Sequence, residues 1–128
     1  MMPDGRHPGF IESFGYAFAG VREAVRRERN FKVMLGMGAL AIVVGFAVRL
    51  DALSWVAVLL MIGMVLCAEL LNTAIETVVD LVAPDLHPLA KRAKDLAAGA
   101  VLVLSACVAV AGLVIYVRAV LILLGSGM

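Results

Sequence analysis

The chain has 128 residues, a length that suits one domain, and 63% of them are hydrophobic. Its mean hydropathy is +1.03, whereas a soluble domain is only about half apolar, so the composition is that of a membrane protein. The formal net charge is +1, and no long basic or aromatic-interleaved segment indicates a nucleic-acid partner. Cys67 and Cys107 lie inside apolar segments. We interpret them as small hydrophobic residues, because a metal or disulfide site needs more ligands or a polar setting.

The first predicted element is an amphipathic helix at about 9–29. Its apolar residues recur at three- and four-residue spacing, at Ile11, Phe14, Phe18, Val21 and Val25. Such a helix lies either on the cytoplasmic membrane surface or against the rest of the bundle, and Tyr16 is suited to the headgroup level. The segment lacks a hydrophobic core followed by a small-residue cleavage site, so we expect no cleavable signal peptide.

Three apolar segments follow, at 33–48, 52–68 and 96–117. Since a membrane span needs about 17–25 residues, they predict three transmembrane helices at about 31–49, 52–82 and 92–120. A soluble protein with three buried helices is the alternative, but it would have no polar face to meet water. The second and third helices are separated by Pro84 and Pro88, because proline removes a backbone donor and disfavours helix before it. The fold class is therefore an all-α membrane protein.

Basic residues predict the orientation. They precede the first span, at Arg22, Arg26, Arg27, Arg29 and Lys32, and the third span, at Lys91, Arg92 and Lys94. With three spans both clusters fall on one side, which the positive-inside rule makes cytoplasmic. The N-terminus is then cytoplasmic, while the turn at Arg49 to Asp51 and the C-terminus face outward.

The second span continues into a polar stripe formed by Glu69, Asn72, Glu76 and Asp80. At about 100° per residue the four side chains share one helical face. Residues 52–68 make about 25 Å of helix against a hydrocarbon core of about 30 Å, which places Glu69 just under the cytoplasmic headgroups. Carboxylates are costly at this depth and tend to face partners, water or a working site.

These residue types suit phosphoryl transfer. Asn72, Glu76 and Asp80 offer the hard oxygens that Mg²⁺ prefers, while Glu69, with the least water around it, suits a general base. Glu28 is a further acid at the same level. The basic side chains that can hold a polyphosphate are Lys91, Arg92 and Lys94. No P-loop or protein-kinase glycine motif is present.

Two other interpretations stay open at this point. The polar stripe can provide hydrogen bonds between helices, each worth about 1 kcal/mol. Alternatively, the protein is a non-enzymatic membrane protein, either an ion or proton pathway or an assembly module. A pathway across the membrane would need its carboxylate near the midplane, whereas this stripe lies at the interface.

The stripe carries a resemblance to a known family. Residues 69–80, E-L-L-N-T-A-I-E-T-V-V-D, are followed by His87 and by residues 91–101, K-R-A-K-D-L-A-A-G-A-V. Together with Gly15, Tyr16, Gly20 and residues 28–31, this pattern resembles the small prokaryotic membrane lipid kinases of the diacylglycerol kinase and undecaprenol kinase family, over about 10–117. The resemblance implies a homotrimer in the bacterial inner membrane. Each subunit would have three membrane helices and a surface helix, and active sites would form between subunits.

The same resemblance implies a set of roles. Glu69 would be the general base on the hydroxyl of a membrane lipid alcohol, and Glu28 and Glu76 would bind Mg²⁺. ATP would be the phosphoryl donor, bound or ordered by Glu28, Asn72, Glu76, Asp80, Lys94, Asp95 and Tyr16. Which subunit supplies Glu28 stays open.

The lipid is suggested by the turn between the second and third spans. Residues 85–91, D-L-H-P-L-A-K, resemble the undecaprenol kinase branch of Gram-positive bacteria, so we expect undecaprenol, with diacylglycerol as the alternative. Met34 differs from both branches, which have an acid or often a histidine there. His87 is interpreted as a solvated loop residue, and Gly99 as a site of close helix packing. Residues 118–128 extend beyond the C-terminal end of the family's common pattern.

Overall fold

The structure, a computed structural model, describes residues 3–126, and this part of the chain is helical without strands. The helices are α1 (Phe10–Arg27), α2 (Arg29–Ala47), α3 (Ala52–Val82) and α4 (Pro88–Ser126). The last three are long and apolar enough to cross a membrane, so the all-α membrane fold with an N-terminal helix is confirmed. α4 begins at Pro88 rather than 92 and continues past 120 to Ser126. The last part of the predicted tail, residues 127–128, lies outside the described residues.

A single residue, Glu28, separates α1 from α2. Its backbone is extended (φ −95°, ψ 110°), yet its N–H donates to the Ala24 carbonyl at 2.9 Å and its carbonyl accepts from the Lys32 N–H at 3.1 Å. Within α1 only Ala24 is buried, and Phe18 on the apolar stripe is 70% exposed. The apolar face of α1 therefore does not pack on its own chain and is open to a membrane surface or to another subunit.

The turn between α2 and α3 is closed by backbone hydrogen bonds. The Leu50 N–H donates to the Gly45 carbonyl at 3.1 Å, and the Arg49 N–H donates to the Phe46 carbonyl at 3.3 Å. Arg49 has φ of 57°, in the left-handed position that usually holds glycine after a helix. A Cβ on Gly45 would lie 2.8 Å from the Trp55 ring and 2.9 Å from Leu50 Cδ1. This end of the hairpin is therefore closely packed.

We expect Gly45→Ala to destabilise the fold by about 1–3 kcal/mol, because the added methyl group forces Trp55 and Leu50 to move. The matched control is Gly36→Ala in the same helix, where a Cβ meets nothing within 4 Å; it is neutral or stabilising by up to about 1 kcal/mol. Thermal unfolding in detergent measures both variants. Equal unfolding midpoints for the two would contradict the close packing at Gly45.

Asp51 joins this turn to α4. Its Oδ1 accepts a hydrogen bond from the Ser54 N–H at 2.7 Å, which caps α3, and its Oδ2 accepts from Arg118 at 3.1 Å. The hydrogen bond from the Ser54 backbone, followed by those from the Ser54 side chain and Arg118, holds the pKa of Asp51 below its ordinary value. The carboxylate thus stabilises the turn while it is ionised.

A pH-dependent stability difference is expected between the wild type and Asp51→Asn. Because the folded pKa is lowered, the charge contributes stability above the unfolded pKa of about 3.9 and loses it as the pH falls through the folded pKa. Asparagine keeps the oxygen that caps the helix, so the variant removes the charge and the acceptor for Arg118 but not the cap. Unfolding midpoints at about pH 7 should differ, and they should converge once the pH falls below the folded pKa. A difference that stays constant with pH would refute this role of the charge.

The hydrophobic core lies at the end of the bundle that holds this turn. Leu50, Val58 and Ala119 are buried there, with Trp55 and other apolar side chains packed around them. At the same end the Tyr116 hydroxyl donates to the Ala41 carbonyl, which joins α4 to α2. This packing fixes the three helices relative to one another and so positions the polar residues at the opposite end.

Candidate active site

Glu69 lies at the opposite end of the bundle from the turn. It is 3% exposed and is the only buried charged side chain among the residues that the structure describes. Phe31 of α2 and Ala97 of α4 are also buried. A buried carboxylate is costly unless it is hydrogen-bonded or paired, so this residue marks the centre of the candidate site.

Three side chains interact with the Glu69 carboxylate. Glu76 and Glu28 act on it through their charges, and the Asn30 amide interacts with it more weakly. Glu76 is two helical turns away on α3, about 10 Å along the axis. Glu28 and Asn30 come from the break between α1 and α2. Three of the acids expected from the sequence, Glu28, Glu69 and Glu76, therefore interact electrostatically.

Asn30 is the site residue for which the sequence predicted no role. It stands in the first turn of α2, and it also lines an apolar cleft of about 390 Å³ between α2, α3 and α4. Met34, one turn further along, lines the same cleft. The sequence feature that could have pointed to Asn30 is its position as a lone amide at the start of an apolar span, within residues 28–31 of the matching pattern.

Asn72 and Glu76 form the next part of the site. Asn72 Nδ2 lies 3.5 Å from Glu76 Oε1, while the buried Asn72 Oδ1 has no hydrogen-bond partner. Within residues 3–126, no three His, Cys, Asp or Glu side chains are close enough to hold a metal ion by themselves. Mg²⁺ usually takes one or two carboxylates together with phosphate oxygens, so an unpaired amide oxygen beside a carboxylate fits this ion.

Charged residues connect α3 with α4 beyond Glu76. Lys94 Nζ lies 2.7 Å from Asp80 Oδ1, and the charge of Glu76 also acts on Lys94. Asp95 pairs with Lys91 one turn earlier on α4. The Asp80, Lys91 and Asp95 side chains are largely exposed and Lys94 is partly exposed, unlike the buried Glu69. The polar site thus continues from a buried carboxylate to solvent-facing charges.

Other predicted residues are placed apart from this site. Tyr16 is 55% exposed on α1, and among the described residues no hydrogen bond or ring contact joins it to the acids. His87 accepts the Leu89 N–H at 3.1 Å and so caps α4, whose first residue is the proline favoured there. A Cβ on Gly99 would meet nothing within 4 Å. The expected close packing at Gly99 is therefore wrong within this chain, although neighbouring Ala97 is buried.

The fold and the site define a small helical membrane protein with an acidic site at one end of its spans. Comparison with known proteins identifies the family within this class. The family described as prokaryotic diacylglycerol kinase matches residues 15–116. The chain belongs to this family.

Individual relatives agree with the family match. The chain is similar to the undecaprenol kinase of Bacillus subtilis (strain 168), with 44% identity over 107 residues, which cover 84% of this chain and 87% of the relative. It is similar to the diacylglycerol kinase of a Synechocystis species, with 42% identity over 106 residues, 82% of this chain and 61% of the relative. The diacylglycerol kinase of Escherichia coli (strain K12) is 36% identical over 93 residues, 73% of this chain and 76% of the relative.

Proposed function

We propose that this protein phosphorylates the hydroxyl group of undecaprenol, with ATP as the phosphoryl donor. Its family makes it a lipid kinase, a phosphotransferase with an alcohol group as acceptor. The observation that carries the proposal is the buried carboxylate of Glu69 near the cytoplasmic boundary of a membrane helix, with the charges of Glu28 and Glu76 acting on it. A lipid alcohol and a water-soluble nucleotide can meet only at such a boundary.

The chain's own residues act by positioning and proton transfer. Glu69 accepts the proton of the lipid hydroxyl, the oxygen attacks the γ-phosphorus of ATP, and ADP leaves. Glu76 and Glu28, with the unpaired Asn72 Oδ1, would hold Mg²⁺, which supplies charge neutralisation for the phosphates when bound. Lys94, Asp80 and Asp95 would contact or order ATP at the exposed end, and Tyr16 would reach it from α1.

The assembly and orientation belong to the same proposal. Glu69 and its neighbours would face the cytoplasm from the bacterial inner membrane, because the basic residues cluster on that side. We propose a homotrimer with sites shared between subunits. The exposed apolar face of α1 and the 55% exposure of Tyr16 support this assembly, since a second subunit could cover them and bring further residues to each site.

Undecaprenol is favoured over diacylglycerol by two observations. Identity to the undecaprenol kinase is 44% over 107 residues, against 42% over 106 and 36% over 93 for the two diacylglycerol kinases. The turn at residues 85–91 also resembles the undecaprenol branch. The names of the other relatives make diacylglycerol kinase the second candidate.

A phosphate-transfer assay of the purified protein in mixed micelles tests the proposal. Undecaprenol and diacylglycerol are offered separately with labelled ATP and Mg²⁺, and the lipid products are resolved. We expect undecaprenyl phosphate as the main product. Phosphatidic acid as the main product would establish the second candidate. Transfer to neither lipid, together with ion flux that is lost on neutralising Glu76, would favour the non-enzymatic pathway instead.

A further inference from the structure

A line of closely packed residues fixes the register between α2 and α3. The buried residues of α2 are spaced seven apart, at Phe31, Gly38 and Gly45. A Cβ on Gly45 would lie 2.8 Å from the Trp55 ring. A Cβ on Gly38 would lie 3.0 Å from Ile62 Cγ2, which is again seven residues further along α3. Because the helices are antiparallel, seven more residues on each lead to Phe31 and Glu69. Glu69 is therefore level with the start of α2.

The apolar cleft of about 390 Å³ between α2, α3 and α4 begins at this level. On α2 it is lined from Asn30 to Ala41, about 16 Å of helix. At its far end the Tyr116 hydroxyl donates to the Ala41 carbonyl. On α3 the lining residue Val65 lies one helical turn before Glu69 on the same face. The cleft has the volume of a ligand pocket, about 300–1,000 Å³, and leads from the level of Glu69 into the spans.

The part of the cleft nearest to Glu69 is enclosed by an apolar collar, formed by Met34 and Met37 of α2 and Val65 of α3. By the register of the two helices, Met34 lies three residues beyond Phe31, about 5 Å into the span from the level of Glu69. Methionine side chains are flexible and fit irregular apolar shapes. A chain that enters the cleft from Glu69 therefore meets hydrocarbon and thioether groups first.

The two candidate acceptors differ in the atoms that would reach this collar. In a polyprenol only hydrocarbon follows the hydroxyl-bearing carbon, whereas in diacylglycerol the next two carbons each carry an ester. Burying an ester carbonyl without a hydrogen bond is costly. The α2 and α3 walls have no polar lining side chain except Asn30, and α4 adds the Ser105 hydroxyl, which has one donor and can satisfy at most one of two carbonyls.

We propose that the apolar collar of Met34, Met37 and Val65 determines acceptor specificity. The cleft takes the hydrocarbon chain of an ester-free lipid alcohol, and the collar disfavours acceptors with esters next to the hydroxyl. The acceptor is the occupant because the family consists of lipid kinases and the cleft begins level with Glu69. The inference rests on the proposed function, in which Glu69 accepts the proton of the lipid hydroxyl.

Substitutions of the collar test this specificity. Met34→Gln introduces amide donors with little change in side-chain size, while Met34→Leu keeps the collar apolar. Met37→Gln is a second polar variant at a more exposed position, for use if Met34→Gln does not fold. The matched control is Met64→Gln, because Met64 of α3 lines a separate groove. For each protein we would measure kcat/KM for undecaprenol and for diacylglycerol in the same micelles. Their ratio does not depend on the fraction of folded protein.

We expect Met34→Gln to raise kcat/KM for diacylglycerol relative to undecaprenol by about tenfold, since one polar group in an apolar pocket discriminates by up to about 100-fold. Met34→Leu and Met64→Gln should keep the wild-type ratio. A wild-type ratio in both Met34→Gln and Met37→Gln, or an equal change in Met64→Gln, would overturn the proposal and assign the cleft to another occupant. A wild-type protein that prefers diacylglycerol or phosphorylates neither lipid would instead refute the proposed function.

Discussion

Glu69→Gln should abolish phosphoryl transfer to the lipid. The amide is almost isosteric with the carboxylate but cannot accept the hydroxyl proton, and loss of a general base costs about 10²- to 10⁴-fold in rate. The side chain is 3% exposed, so bulk water is poorly placed to replace it. Neutralising one of three neighbouring carboxylates also relieves repulsion with Glu28 and Glu76. The variant should therefore fold normally and still bind nucleotide.

Two measurements separate chemistry from binding in this variant. Lipid phosphorylation gives kcat, and equilibrium titration with ATP and Mg²⁺ gives the nucleotide Kd. Glu23→Gln is the matched control, because Glu23 is an exposed acid of α1 paired with Arg27 at 2.7 Å. It should retain wild-type activity. Near-normal turnover in Glu69→Gln would show that another group accepts the proton.

Glu76→Gln should weaken Mg²⁺-dependent binding of ATP. Glu76 accepts a hydrogen bond from the amide of Asn72, whose own oxygen is unpaired, and the charge of Glu76 acts on Lys94. It therefore connects the proposed metal ligands with the proposed phosphate contacts. Mg²⁺ is held by only one or two protein carboxylates together with phosphate oxygens. Removing one of them should raise the Kd for ATP by about tenfold or more in the presence of Mg²⁺, since even indirect metal partners cost about 10- to 100-fold.

The measurement is a titration of ATP at several Mg²⁺ concentrations, with excess Mg²⁺ expected to restore part of the binding. Asp85→Asn is the control, because Asp85 is an exposed acid of the loop between α3 and α4 and its substitution changes the net charge equally. An unchanged Mg²⁺ dependence in Glu76→Gln would remove Glu76 from the metal site. Loss of turnover with unchanged binding would assign it to chemistry instead.

The sequence was sufficient for the features that depend on local spacing. Three spans follow from uninterrupted apolar segments, and the common face of Glu69, Asn72, Glu76 and Asp80 follows from the helical repeat alone. The depth of Glu69 follows from counting residues along α3. The surface helix was also predictable as a helix, but its exposure was not, because an apolar stripe fits a membrane surface and a helical neighbour equally well.

Contacts between helices were decided only by the tertiary structure. The pairing of Asp80 with Lys94 and of Asp51 with Arg118 joins residues 14 and 67 positions apart. Such pairings depend on how far each helix is rotated and shifted against its neighbour, and an almost uniformly apolar helix surface carries little information about either. The break at Glu28 was likewise decided only by the tertiary structure. One extended residue turns α2 away from α1 and brings Glu28 and Asn30 to the carboxylate that the sequence had already placed at the membrane boundary.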